Sequence, residues 1–283
     1  MKKGINRWCL PSEWSTDAVL SLAKSVGFDG IEFNLEEVNP SIDAPRPETM
    51  GRIGVDAPDE AIRDLRRRAE QIGLETPSVS SGLFWRYPPT SDDPAIREKA
   101  LAIGERALQV AQLLGANTVL VVPGAVSADV SYAVAYERAR GFLRELAPVA
   151  ERMGVTIGVE NVWNKFLLSP LEFARFIDEI DSPSVGAYLD LGNVLIFGYP
   201  HHWVEILGRR IRKVHVKDFR LDVGNRTGFA HLLHGDLDWP RAIAALHAIG
   251  YNDFVTTELS ISKFLVEKTV ADTASSLEMI LNL

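Results

Sequence analysis

The 283-residue chain reads as an α/β protein folded into a single (β/α)8 barrel. Three observations predict this. An amphipathic helix, a glycine, a short gap and an apolar strand recur six times, in that order. A seventh helix-to-strand junction uses Asp181-Ser182-Pro183 as its breaker in place of glycine. A first strand near "KGINRWCL" brings the strands to eight. Strands alternating with helices imply parallel pairing through crossover helices. Eight such units in a chain of this length suit closure into a TIM barrel.

The elements follow in order. "KGINRWCL" supplies the first strand, with Cys9 as a small core residue within it. "PSEWSTDAVLSLAKSV" is a helix capped by Ser15 or Thr16. It ends at Gly27, before the second strand in "GIEFNL". "EEVNPSIDAPRPETMGRIGVDAPDE" is a long polar insertion, rich in proline and glycine, expected as a loop over the barrel mouth. Gly73, Gly115 and Gly154 then close helices ahead of strands three, four and five, "TPSVS", "TVLVV" and "VTIGVEN". Glycine takes the left-handed conformation at such ends without steric cost. Strand six is "VGAYLDLGN"; strand seven, "IRKVHVKDF", follows Gly208. Asp238 caps the next helix, with Pro240 in its first turn, and Gly250 precedes strand eight, "FVTTELS". A last helix, from about Lys263 to Leu281, closes the barrel. No linker interrupts the series, so residues 1–283 are expected as one domain. The alternative, an open doubly wound sheet, usually carries a glycine-rich phosphate turn after its first strand, and "CLPSEWSTD" is not one.

Composition narrows the function. An apolar fraction of 46% supports a substantial core. A formal charge of −8, from 30 basic and 38 acidic residues, argues against a nucleic-acid partner. The single cysteine, Cys9, excludes an intrachain disulfide. Asn6, Arg7 and Pro11 break any signal-peptide core, and no apolar run is long enough to span a bilayer. A cytoplasmic protein without a membrane partner is expected.

Chemistry in this fold gathers at the carboxyl ends of the strands. Strands five to eight place Glu160, Asp190, His215 and Glu258 there. Three carboxylates crowded without a cation would repel and force protonation. The four residues are therefore expected to share one divalent ion. Their donor set fits Mn²⁺, Mg²⁺, Co²⁺ or Zn²⁺, and three oxygen donors favour Mn²⁺.

"VENVWNKFLLSP", "GAYLDLGNVL", "KVHVKDF", "GDLDWP" and "GYNDFVTTEL" together resemble the sugar phosphate isomerase/epimerase family with a xylose-isomerase-like barrel. The similarity runs along nearly the whole chain and is nearest to the L-ribulose/L-xylulose 5-phosphate 3-epimerase and hexulose-6-phosphate isomerase type. The resemblance implies a metal held by Glu160, Asp190, His215 and Glu258, with Glu160 and Glu258 doubling as acid–base groups. Asn193 departs from the pattern, because ketose 3-epimerases of this kind often have a histidine there. His234 stands where relatives commonly have an acidic residue.

Isomerisation and epimerisation of ketoses both begin by removing a proton from a carbon beside a carbonyl. A metal disperses the resulting charge, and a carboxylate takes the proton. Epimerisation also needs an acid on the opposite face, and a pair of glutamates suits it. Arg220, Lys165 and Lys217 are candidates to hold a hydroxyl or phosphate. Asn161 and Asn164 would bond sugar hydroxyls or shape their loop. Trp8, Trp85 and Trp163 would wall the mouth or pack beneath it. The expected partner is a small sugar or sugar phosphate, and a homo-oligomer is compatible with the chain. The competing readings on the same metal site are an aldose–ketose isomerase and a keto-inositol-type dehydratase. A sugar-binding protein without catalysis would not need four ligands. An abasic-site endonuclease needs further histidines from earlier strands, and "SVSSG" and "VVPG" offer none.

Overall fold

The computed structural model describes residues 1–37, 52–260 and 262–283. In chain order it runs β1 (Lys2–Asn6), α1 (Thr16–Ser25), β2 (Gly30–Glu36), β3 (Ile53–Gly54), α2 (Asp59–Gln71), β4 (Ser78–Ser80), α3 (Leu83–Arg86), α4 (Pro94–Leu114), β5 (Thr118–Val121), α5 (Tyr132–Met153) and β6 (Thr156–Glu160). It continues through α6 (Pro170–Ile180), β7 (Val185–Asp190), α7 (Leu191–Val194), α8 (Pro200–Leu207), β8 (Ile211–Val216), β9 (Asp218–Phe219), β10 (Phe229–Ala230), α9 (Trp239–Ala248), β11 (Phe254–Thr257) and α10 (Val266–Leu281). Strands β1, β2, β4, β5, β6, β7, β8 and β11 pair in parallel in that order. β11 returns to β1 and closes the expected barrel. No helix among the described residues is long and apolar enough to cross a membrane.

Local chemistry explains the junctions. Ser15 caps α1 by accepting the Ala18 N–H at 3.2 Å, and Asp238 caps α9 through the Arg241 N–H. Gly154 ends α5 at φ 65°, and Asp181 takes the equivalent left-handed position after α6 at φ 57°. Aspartate tolerates that conformation better than most residues with a side chain. α6 shows why these helices dock. Phe173, Phe176, Ile177 and Ile180 form one buried stripe at helical spacing. Each such side chain contributes about 1.5–3 kcal/mol on burial.

Two boundaries differ from the sequence expectation, and a short strand lies within the segment expected as a loop. β1 stops at Asn6, and Cys9 lies in a 3₁₀ turn instead of a strand. The Asn6 side chain accepts the Trp8 N–H at 2.8 Å, and this local bond bends the chain out of the ladder. Cys9 is buried, as expected of a small core residue. The last helix begins at Val266 because Leu265 sits at φ 53°, outside the right-handed helix. Much of the polar insertion, residues 38–51, lies outside the described residues, so its expected position over the mouth does too. Beyond it, Ile53–Gly54 adds a short parallel strand to Leu35 and Glu36.

Alternation along the strands sorts the residues into two layers. Ile31, Phe33, Ile157, Val159, Ala187, Leu189, Val214 and Val216 are buried and apolar. Between them stand Glu32, Asn34, Glu160, Tyr188, Asp190, Lys213 and His215, also buried. β2 is paired with neither β7 nor β8, yet Glu32 meets Tyr188 and His215. Those contacts are possible only across the inside of the barrel, so the polar layer is the interior. Gly158 makes room for it, because a Cβ there would lie 3.0 Å from the Tyr188 side chain.

Candidate metal centre

Glu160 and Asp190 close β6 and β7, His215 lies near the end of β8, and Glu258 follows β11. Strand register sets them at one level. Asp190 stands opposite His215, and the Glu258 N–H still donates to Val216 O at 3.1 Å. One ligand atom from each of the four lies within 4.8 Å of every other.

His215 shows what the cluster is built for. Its Nε2 lies 2.8 Å from Glu32 Oε1. Among the described residues its Nδ1 has no hydrogen-bond partner, and it is buried. That atom lies 3.6 Å from Glu160 Oε1 and 3.8 Å from Glu258 Oε2, too far for a good hydrogen bond. A ring nitrogen turned toward carboxylates, with its other nitrogen on a carboxylate behind, is the arrangement of a metal-ligating histidine. Burial opposes charge on the imidazole, but Glu32, Glu160 and Glu258 outweigh it and hold its pKa well above the ordinary range. A proton on Nδ1 and a metal ion facing it answer the same negative field. The donor set of three carboxylates and one imidazole therefore fits a divalent ion.

The two glutamates are unlike. Burial, reinforced by Glu258, pushes Glu160 up to about 7 against the pull of His215. Burial also acts on Glu258, but Lys217 and His215 overcome it and hold that carboxyl below its usual range. The two carboxyls therefore stand in opposite electrostatic environments, one raised and one lowered.

Glu32, which was not among the expected site residues, anchors the centre from below. It is fully buried and accepts from His215, from Ser78 Oγ at 2.5 Å, from Tyr188 OH at 2.6 Å and from Asn6. The signal in the sequence is "IEFNLE", which puts a carboxylate in the middle of a buried parallel strand.

The other expected residues separate into packed and exposed groups. Asn161 exchanges two hydrogen bonds with the Asp190 backbone, at 2.9 and 2.8 Å. Asn164 donates to Gly124 O and accepts from the Phe166 N–H. Any bond from either amide to a sugar would have to replace these. Trp163 bonds Asn193 O through its indole N–H at 2.9 Å and packs against Phe219 and Phe229. Trp8 and Trp85, after the ends of β1 and β4, are 39% and 49% exposed. Arg220 is exposed, and its guanidinium pairs with Asp222 at 3.0 Å. Lys217 belongs inside the centre, with its ammonium 2.6 Å from both Asp190 and Glu258. "GDLDWP" proves architectural. Asp218 accepts from the N–H groups of Phe219 and Leu237 and from the Trp239 indole, pinning that loop beside β8.

Fold and site together define a class: a (β/α)8 barrel with a carboxylate–imidazole cluster of metal-ligand type at the carboxyl ends of its strands. The model of the xylose isomerase-like TIM barrel family matches residues 20–283, and the chain belongs to that family. The resemblance read from the strand-end motifs is borne out at that level.

L-ribulose-5-phosphate 3-epimerase UlaE of Shigella flexneri is 26% identical over 249 residues, covering 88% of this chain and 83% of that protein. Among solved structures, D-psicose 3-epimerase in the presence of D-fructose has a TM-score of 0.80 at 18% identity, over 100% of both chains. The IOLI protein with a bound zinc atom has a TM-score of 0.81 at 18% identity, over 100% of this chain and 98% of its own. At these identities the structural likeness is one of fold.

Proposed function

We propose that this protein is a divalent-metal-dependent 3-epimerase of a ketose or ketose phosphate. The observation that carries this reading is the placement of Glu160 and Glu258 within 3.6 and 3.8 Å of the buried His215 Nδ1. They come from the two ends of the arc β6–β7–β8–β11 and approach one point from different sides. The relatives named 3-epimerases support the same reading. Glu160, Asp190, His215 and Glu258 would hold the ion. When bound, a divalent ion supplies the positive charge that polarises a ketose carbonyl. Mn²⁺ is favoured by the three oxygen donors, although the IOLI protein holds zinc. The single cysteine fits the cytoplasm, and a homo-oligomer remains compatible.

The chain's own groups perform the proton traffic. One glutamate takes the proton from C3 on one face, and the other delivers a proton to C3 on the opposite face. Each turnover leaves the two carboxyls with exchanged protonation, which solvent resets. An aldose–ketose isomerase or a dehydratase would use the same centre. A nuclease is disfavoured because β4 and β5 end in "SVSSG" and "VLVVPG", without histidine.

The test is a metal-loaded screen of pentulose and hexulose phosphates followed by NMR, run alongside His215→Ala. That variant should lose bound metal and turnover together. Stoichiometric metal with full turnover would remove His215 from the site.

Arg220 tests whether the substrate carries a phosphate. Its exposed pair with Asp222 is screened by water and exchanges easily. Arg220→Ala should raise KM about tenfold for a phosphorylated ketose, the scale of one charge-assisted hydrogen bond. An equal effect on the free sugar would deny Arg220 a phosphate role.

A further inference from the structure

We infer that Lys217 is the resident counter-ion of the metal centre, holding Asp190 and Glu258 in the metal-free protein and leaving their oxygens when an ion loads. The inference rests on the proposed metal site, and four observations carry it.

The first is which atoms are shared. Lys217 Nζ lies 2.6 Å from Asp190 Oδ2 and 2.6 Å from Glu258 Oε2. Glu258 Oε2 is also the oxygen that faces His215 Nδ1 at 3.8 Å. The ammonium therefore sits on an oxygen that the metal would claim.

The second is how Asp190 divides its two oxygens. Its Oδ1 accepts the Asn193 N–H at 2.8 Å and caps α7. Oδ2, the oxygen that takes no part in that cap, is the one Lys217 holds.

The third is that the position of the lysine is built. A Cβ on Gly192 would fall 2.6 Å from Lys217 Cγ and 2.5 Å from its carbonyl oxygen, so only glycine admits this stem. The ammonium also lies 5.1 Å from the centre of the Phe229 ring, a cation–π contact. Lys217 is held by the fold and is no solvent-exposed chain drifting onto a carboxylate.

The fourth is charge. Glu160, Asp190 and Glu258 are brought together in a buried site, and like charges so placed cannot all remain ionised without a cation. Lys217 supplies that cation before any metal arrives. A divalent ion and an ammonium on the same two oxygens repel each other, so loading is an exchange of one cation for another. Lys217 is thus a positioning residue that lowers the affinity of the centre for metal while keeping its ligands in place.

Calorimetric titration with Mn²⁺ of wild type and Lys217→Met tests this, with Lys217→Arg as the variant that keeps the charge. Lys217→Met should bind Mn²⁺ at least about tenfold more tightly. Its metal-free form should melt at a lower temperature than wild type, and metal should restore the difference. Lys217→Arg should show no tightening. A merely structural role would weaken metal binding in both variants, and unchanged or weaker binding in folded Lys217→Met overturns the inference. Binding to Lys217→Met alone would uphold the counter-ion role, whereas binding to neither protein would overturn both the inference and the metal site. Should Lys217→Met fail to fold, wild type decides. NMR of the lysine side-chain ammonium should show a protected Lys217 signal that is lost on adding Zn²⁺. A signal unchanged at saturating Zn²⁺ would overturn the exchange.

Discussion

Turnover in D₂O should place solvent deuterium at C3 of the product, with little label in recovered substrate at early times. The expectation follows from the proposed action of two glutamates on different faces. The carboxyl that delivers the proton is not the one that removed it, so the incoming hydrogen derives from solvent. Glu160→Gln and Glu258→Gln should each lower kcat by about 10²–10⁴-fold, the range for a positioned acid or base. Both residues also belong to the proposed metal cluster, so metal content must be measured beside the rate. A variant that keeps its metal and loses its rate assigns the loss to proton transfer. Label only at C1 or C2 would replace the epimerase with an aldose–ketose isomerase, and product formed with loss of water would identify a dehydratase.

Glu32→Ala should be the most damaging single change to stability. It removes one buried carboxylate and strips partners from His215, Ser78, Tyr188 and Asn6 together. Breaking a buried, hydrogen-bonded ionic contact by deleting one partner costs about 3–5 kcal/mol. Denaturant unfolding measures this, and an unchanged midpoint would show that the network carries no stability. Glu32→Gln keeps the shape and removes the charge. It should unfold less readily than Glu32→Ala and still bind metal about 10–100-fold more weakly than wild type, because the orientation and basicity of His215 depend on the carboxylate behind it. Wild-type metal affinity in Glu32→Gln would show that His215 needs no such support.

The legible part of this protein was the local part. Glycines at helix ends, and Ser15 and Asp238 as caps, are each a matter of a few neighbouring residues. Backbone sterics and the helical period dictate them wherever the chain goes. Adding the junctions led to eight strands, and eight strands of this kind close. Glu160, Asp190 and Glu258 were legible for the same reason, since each marks where an apolar strand meets a polar loop. The exceptions were also local. Asn6 folds back on the Trp8 N–H, and Leu265 adopts a left-handed conformation, so neither boundary followed apolar pattern alone.

Amino-acid order by itself determined the alternation of strands and helices, the class of barrel and the identity of four residues at one rim, because those depend on spacing along the chain. Closure of the barrel decided the rest. Glu32 and His215 are 183 positions apart and lie on strands that are not paired with each other. Only the curvature of the sheet brings them to 2.8 Å across its interior. Lys217 was one uncertain cation among several until the fold set its stem against Gly192 and its ammonium between Asp190 and Glu258. Period-2 alternation says that residues 215 and 217 share a face of their strand. It does not say which carboxylates the other strands will bring there. That is fixed by register and shear around the closed barrel, which no local stretch of sequence encodes.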